Sequence, residues 1–249
     1  MQPAVLVTGG AKRIGSLIAR AFDRAGWHVV IHYGTSQAAA EALAAELRSA
    51  ECVQCDLADG DAATAMIAAL ADRLDDWRVL VNSAAVFRAD TVSELSPDVF
   101  GEAMTINAAT PTRMAQVFLA KARANGGRRV IALTDQKLLN PNPDFFSYTM
   151  AKHALAGTLR MMAMAMPRAE DRVYGLAPGA MLPSFDQQPE EHQLSGRMNL
   201  LERLNDPQEL ADAALFLAEG WLASGETLFI DSGQHLMAQP RDVLYLARE

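Results

Sequence analysis

Thr134-Asp135-Gln136-Lys137-Leu138-Leu139-Asn140-Pro141-Asn142-Pro143-Asp144-Phe145-Phe146-Ser147-Tyr148-Thr149-Met150-Ala151-Lys152 organises this chain. It follows the apolar run Val130-Ile131-Ala132-Leu133, so it sets a carboxylate just past a strand and a Tyr-x-x-x-Lys pair at the start of a helix. Side chains four apart on a helix share a face, so Tyr148 and Lys152 point at one spot. An unperturbed phenol titrates near ~10, and a nearby ammonium favours the phenolate. The pair therefore predicts a Tyr148 of depressed proton affinity, able to act as a general acid. Open α/β folds keep their sites at the carboxyl ends of strands, where Asp135 falls.

Upstream, Ala4-Val5-Leu6-Val7-Thr8 flows into Gly9-Gly10-Ala11-Lys12-Arg13-Ile14-Gly15, after which Ile14, Leu17, Ile18, Ala21 and Phe22 recur at helical spacing. That is strand, tight turn, helix, closed by Gly26. Strands are further expected at Val29-Val30-Ile31, at 53–55, at Val79-Leu80-Val81-Asn82, at Val173-Tyr174-Gly175-Leu176 and at Thr227-Leu228-Phe229-Ile230. Helices are expected over 36–49, 62–74, 97–109, 112–124 and 206–218, with the helix of Tyr148 running to about 166. This alternation predicts one doubly wound α/β domain of Rossmann type over 1–249, with a seven-stranded parallel sheet and helices on both faces. Residues 181–200 show no period, and loops of that length in compact domains act as lids or binding segments. The tail over 234–249 carries Leu236, Val243, Leu244, Tyr245 and Leu246, and is expected to dock on this chain or a neighbouring subunit.

Half of the 249 residues are hydrophobic, enough for a large core. The net charge of −8, with no cluster of Lys or Arg, argues against nucleic acid or an anionic membrane as the main partner and for a small molecule. No apolar run reaches the ~18 residues of a spanning helix, and no signal pattern precedes the first strand, so a soluble, cytoplasmic protein is expected. Cys52 and Cys55 are spaced C-x-x-C on an expected strand, where they face opposite sides, which disfavours redox chemistry; no metal is expected.

The glycine turn is built for a pyrophosphate. Backbone N–H groups of Gly9 to Gly15 approach the anion at a helix start, whose dipole favours it. A cation such as Arg13 at that positive end is disfavoured unless an anion is present. Enzymes that use NAD place a carboxylate at the end of the second strand. This chain has His32-Tyr33-Gly34-Thr35-Ser36 there, and no carboxylate before Glu41. Lys12, Arg13, Thr35 and Ser36 suit a 2′-phosphate instead, so the expected cofactor is NADPH.

Asp135 with Tyr148-Thr149-Met150-Ala151-Lys152 resembles the short-chain dehydrogenase/reductase superfamily, in which a Ser commonly stands near the position of Asp135. Asp in that place, and Arg13 where most members have glycine, resemble its pteridine and dihydromonapterin reductases, as does Gly233-Gln234-His235-Leu236. The resemblance implies that Gly9, Lys12, Arg13, Ile14 and Gly15 hold cofactor phosphate, and that Arg13 also approaches the pterin. Asp56-Leu57 matches the Asp-Leu at the adenine, although Asp56 could instead cap a helix for which Asp59 is better placed. Asn82-Ser83-Ala84-Ala85 stands for Asn-Asn-Ala-Gly and keeps small side chains against the cofactor. Pro178, Gly179, Tyr148 and Lys152 complete the implied cofactor contacts; Thr35 departs from the Arg usual in the family.

Asn107 matches the superfamily's helix Asn, whose backbone is implied to hold a water linking Lys152 to solvent; read alone, it is equally a kink or a satisfied core amide. Phe87 matches the aromatic that stacks on the pterin, or is simple core. Carbonyl reduction needs a neutral donor such as Ser. Reduction of a dihydropterin C=N needs a proton at ring nitrogen, which a carboxylic acid can deliver and reload from water. The expected site is thus Asp135, Tyr148, Lys152 and Asn107 for catalysis, with Arg13, Phe87, Asp135 and Tyr148 at the substrate. The expected reaction is NADPH-dependent reduction of dihydromonapterin or dihydrobiopterin, with dihydrofolate a side substrate. The alternatives are a carbonyl or 3-oxoacyl-thioester reductase, and a non-catalytic nucleotide-binding module. The resemblance implies a homotetramer.

Overall fold

Alternate residues of the first strand, Ala4–Val7 (β1), feed opposite layers of core: Val5 and Val7 pack on one face of the sheet, Ala4 and Leu6 on the other. A strand buried on both faces has no polar alternation to show, which is why it reads as a continuous apolar run. The computed structural model describes residues 2–166, 168–184 and 186–249. Within them the other strands are His28–Tyr33 (β2), Ala50–Gln54 (β3), Trp77–Asn82 (β4), Arg129–Leu133 (β5), Arg172–Pro178 (β6) and Thr227–Ile230 (β7). They form one sheet in the order β3-β2-β1-β4-β5-β6-β7, every pair parallel. The expected seven-stranded parallel α/β architecture is what the chain adopts.

Helices Arg13–Arg24 (α1), Gln37–Glu46 (α2), Gly60–Arg73 (α3), Pro97–Met104 (α4), Thr110–Lys121 (α5), Phe146–Met164 (α6), Pro189–Ser195 (α7), Pro207–Glu219 (α8) and Val243–Leu246 (α9) surround it. Ile18 and Phe22 of α1 pack with Leu43 of α2 and Leu210, Ala214 and Leu217 of α8 on one face. Ile67 and Leu70 of α3 pack with Met114 and Phe118 of α5 on the other. Leu155 and Leu159 of α6 extend that second layer over Ala132. Phe118 is fully buried and meets Trp77 edge-on, so Phe118→Ala removes about 3–5 kcal/mol by transfer and cavity terms together. No helix of the described residues is long and apolar enough to cross a membrane.

Several boundaries differ from expectation. β3 starts at Ala50, not 53, and α2 stops at Glu46, because Asp23 captures the N–H and guanidinium of Arg48 and draws the chain into extended pairing opposite Val29. Cys52 and Cys55 do fall on opposite faces, and burial pushes both thiols up. The helices expected over 97–109 and 112–124 join through a π turn, Thr105–Ala109, closed by the Thr110 N–H on the Thr105 carbonyl. Pro111 brings no N–H for the Asn107 carbonyl, so the regular ladder cannot run through this point. Part of the unpatterned 181–200 segment is helical after all: α7 opens on Pro189 and a capping box between Gln188 and Glu191.

The strand order reverses at β1. From there the chain runs out through β2 and β3 and returns to the other side at β4. The crevice beyond the carboxyl ends at such a reversal is where open α/β sheets bind ligands.

Candidate active site

The turn after β1 is tied to its neighbours before any ligand is considered. Gly9 has φ +61° and donates its N–H to His32 Nδ1 at 3.1 Å, while His32 Nε2 donates to the Cys55 carbonyl at 3.1 Å. His32 is buried at the end of β2, and burial pushes it down to about 4, so the ring is neutral with its proton on Nε2. The Thr8 hydroxyl oxygen accepts the N–H groups of Ser83 at 2.9 Å and Ala84 at 3.1 Å, which locks the turn after β4 against the turn after β1. A Cβ on Gly9 would sit 3.0 Å from Ala84 Cα, and one on Gly15 only 2.3 Å from the Gly9 carbonyl oxygen. Only glycine leaves this groove open.

Arg13 opens α1 with φ +51°, a left-handed conformation that favours glycine. An L residue held there costs about 1–3 kcal/mol and persists at functional sites. Its guanidinium reaches across the crevice and donates to the Pro183 carbonyl at 2.9 Å, joining the glycine turn to the 181–200 segment.

β5 ends in Leu133, and Asp135 follows at the start of a short 3₁₀ turn, Gln136–Leu138, whose Lys137 N–H it accepts at 2.9 Å. The other carboxylate oxygen accepts the Tyr148 hydroxyl at 3.0 Å. Lys152, one turn further along α6, donates to the Leu133 carbonyl at 2.6 Å and lies 5.4 Å from the centre of the Tyr148 ring. The expected sign at Tyr148 is reversed. Burial, and then the Asp135 carboxylate, hold the phenol well above its ordinary value of 10, and the ammonium does not overcome them. Burial also raises the Asp135 carboxyl against the pull of Lys137, Tyr148 and Lys152. Burial lowers Lys152 to about 8. Burial thus acts on the carboxyl and the phenol in the same direction, raising the proton affinity of both.

These side chains line a cavity of about 490 Å³. Gly9, Lys12, Arg13, Ile14, Gly15, Ser83, Ala84, Phe87, Asp135, Tyr148, Lys152, Pro178 and Gly179 all face it. Thr35, Ser36, Asp56, Leu57, Asn82 and Asn107 are not among the residues that line it. Thr35 and Asp56 are exposed on loops beyond β2 and β3, and the Asp56 side chain accepts the Ala58 N–H. Asp59 caps α3, accepting the N–H groups of Asp61 and Ala62. The side chain of Asn107 clamps Val86, accepting its N–H and donating to its carbonyl, each at 2.8 Å. That clamp steadies the loop carrying Phe87, whose ring stacks on Phe145 at 4.0 Å and meets Tyr148 edge-on at 4.8 Å.

The sequence pointed to a docked tail but not to its place in the cavity wall. Asp242, Val243 and Leu244 line the cavity, and Leu244 packs with Phe145 and Tyr148. Asp242 pairs at 2.5 Å with Lys137, itself buried, and Asp144 accepts both the Arg241 guanidinium and the Asp242 N–H at 2.8 Å. Asp144 and Lys137 stood in the stretch first singled out, but nothing local pairs them with residues about a hundred positions on.

A dinucleotide fits these residues. The glycine turn offers N–H groups at a helix start, and the end of β2 offers no carboxylate, only a neutral buried imidazole. Lys12 and Arg13 are exposed cations beside that turn. Thr134 lines the same cavity, and its Oγ1 is buried with no hydrogen-bond partner among the described residues, a polar group left to be satisfied at the cavity edge.

The comparisons with known proteins agree with this geometry. A family model described as enoyl-(acyl carrier protein) reductase matches residues 9–235. Pteridine reductase 1 of Leishmania tarentolae is 29% identical over 94% of this chain and 96% of its own. The 7alpha-hydroxysteroid dehydrogenase of Escherichia coli K12 is 29% identical over 92% of each chain. The crystal structure of FolM alternative dihydrofolate reductase 1 from Brucella canis, complexed with NADP, superposes with a TM-score of 0.88 and is 31% identical over 96% of both chains. This chain belongs to the short-chain dehydrogenase/reductase superfamily and is an oxidoreductase of that family.

Proposed function

We propose that this protein reduces the C=N bond of a 7,8-dihydropterin to the tetrahydro form with NADPH. The observation that carries the reading is Asp135, a half-buried carboxyl whose proton affinity desolvation raises, bonded to Tyr148 and facing the same cavity as Arg13 and Phe87. The likeness to a pteridine reductase and to a dihydrofolate reductase supports it.

In this reading Lys12, Arg13, Thr35 and Ser36 take the 2′-phosphate, Gly9 to Gly15 the pyrophosphate, and Tyr148 and Lys152 the nicotinamide ribose. The bound cofactor supplies a hydride equivalent to the ring carbon. Asp135 gives its proton to the adjacent ring nitrogen and is reloaded from water, so one hydride and one proton convert C=N to CH–NH. Tyr148 keeps its own proton, and as a donor to Asp135 it orients the carboxyl. Phe87 offers its ring to the pterin, and Arg13 spans the cofactor phosphates and the pterin edge. The Asn107 carbonyl, for which Pro111 has no N–H, holds the water that leads from Lys152 to solvent. Exposed Met161 and Met164 on α6 suit a subunit face of a homotetramer.

A second reading, reduction of a ketone or acyl thioester, is favoured by the hydroxysteroid dehydrogenase relative and the family description, and needs only Tyr148 and Lys152. The test is NADPH oxidation with dihydropterins, dihydrofolate, a ketosteroid and an acetoacetyl thioester, repeated with NADH. Turnover of dihydropterins with NADPH is expected; turnover of the thioester or ketone alone refutes the reading.

A further inference from the structure

In a 7,8-dihydropterin the reducible C=N bond joins N5 to C6, and C6 is also the carbon that carries the side chain. If Asp135 protonates N5, as the reading above has it and on which this inference rests, covalent geometry places the first atoms of that side chain next to Asp135. Beyond Tyr148 and Lys152, the polar groups lining this cavity include Lys137, whose backbone N–H Asp135 accepts at 2.9 Å, and Asp242, the partner of the Lys137 ammonium.

This pair is not saturated. An ammonium has three donors, and Lys137 gives one to Asp242 at 2.5 Å and a weaker one to the Asp144 carbonyl at 3.4 Å. A carboxylate has about four acceptor positions, and Asp242 uses one for Lys137 and one for the Leu244 N–H at 3.0 Å. One donor and two acceptors therefore remain on adjacent groups, next to the apolar Val243 and Leu244 of the same cavity wall. A diol matches that set: one oxygen accepts from the ammonium while a neighbouring hydroxyl donates to the carboxylate. An arylamine side chain, as in folates, has an N–H for the carboxylate but no oxygen near C6 to accept from the ammonium, and meets only half of the set.

We propose that Lys137 and Asp242 are the specificity-determining residues for the C6 substituent, selecting dihydropterins with a short hydroxylated carbon chain. The pair comes from two distant parts of the chain, and the tail segment 241–244 is held in place by Asp144, so the selection depends on the docked tail.

The test compares kcat/KM for 6-trihydroxypropyl- and 6-methyl-7,8-dihydropterin, with NADPH, in the wild type and in Lys137→Met/Asp242→Leu, which removes both charges together. Lys137→Ala/Asp242→Ala serves if the larger apolar variant does not melt cooperatively. The wild type is expected to prefer the hydroxylated substrate by about tenfold or more, as hydrogen-bonding sites do, and the variant to lose most of that preference, with Lys137→Arg retaining it. A preference that is the same in wild type and variant overturns the inference while leaving dihydropterin reduction standing. Turnover of neither substrate by the wild type overturns the functional reading and the inference with it.

Discussion

Tyr148 donates its hydroxyl proton to Asp135 across 3.0 Å, and burial raises the proton affinity of both groups. The phenol is held in its protonated form as a donor, and the carboxyl next to it keeps its proton to higher pH than a free carboxyl does. Under the proposed function, the Tyr-x-x-x-Lys pair places the nicotinamide ribose and Asp135 does the proton chemistry.

This arrangement predicts the pH dependence of turnover. A general acid works only while protonated, and burial raises Asp135, so kcat for a dihydropterin falls as pH rises through that elevated value. Lys152, lowered to about 8, adds a second loss above about pH 8 as its charge disappears. A kcat profile that rises with pH between 6 and 8, where a base rather than an acid would be gaining strength, contradicts this assignment.

Lys152 is also predicted to cost stability. Its folded value of about 8 lies below the ordinary 10.5, a gap of roughly 3 kcal/mol against the charged form. Between those values the unfolded chain binds more protons, so wild-type stability rises with pH through that window and the full penalty is present below about pH 8. Lys152→Met removes the penalty but loses the bond to the Leu133 carbonyl, worth about 1 kcal/mol. The variant is expected to be inactive and to melt ~2–6 °C higher at pH 7, by calorimetry, with a flatter pH dependence.

Arg13 poses the same opposition of stability and function. Glycine relieves the left-handed strain at φ +51°, but its greater freedom in the unfolded chain offsets about 0.5–1 kcal/mol of the gain. Arg13→Gly should therefore melt within ~3 °C of the wild type, while kcat/KM for the dihydropterin drops by about tenfold or more. Unchanged kinetics would remove Arg13 from the site.

How much of this was legible follows from the range of each interaction. β1 and the glycine turn could be read because a doubly buried strand and a helix-start phosphate groove are local patterns. Tyr148 and Lys152 share a helix face for a reason contained in four residues of spacing. The sign of the shift at Tyr148 was not legible, because it depends on how deeply the ring is buried, and burial is a property of the assembled layers. The Lys137–Asp242 and Asp144–Arg241 pairs were hidden for the same reason: their partners lie at opposite ends of the carboxyl-terminal half. The π turn at Thr105–Ala109 was marked only by Pro111, which read as a gap between two helices. Helix α7 was missed because its cap is Gln188, not one of the usual short polar residues.

The measurement that bears most directly on the account is turnover of 7,8-dihydropterin by Asp135→Ser, with NADPH binding followed in parallel by fluorescence titration. Loss of a positioned general acid predicts a fall in kcat of about 10²- to 10⁴-fold with NADPH affinity kept within a few-fold. Turnover at the wild-type rate with serine in that position would contradict the account.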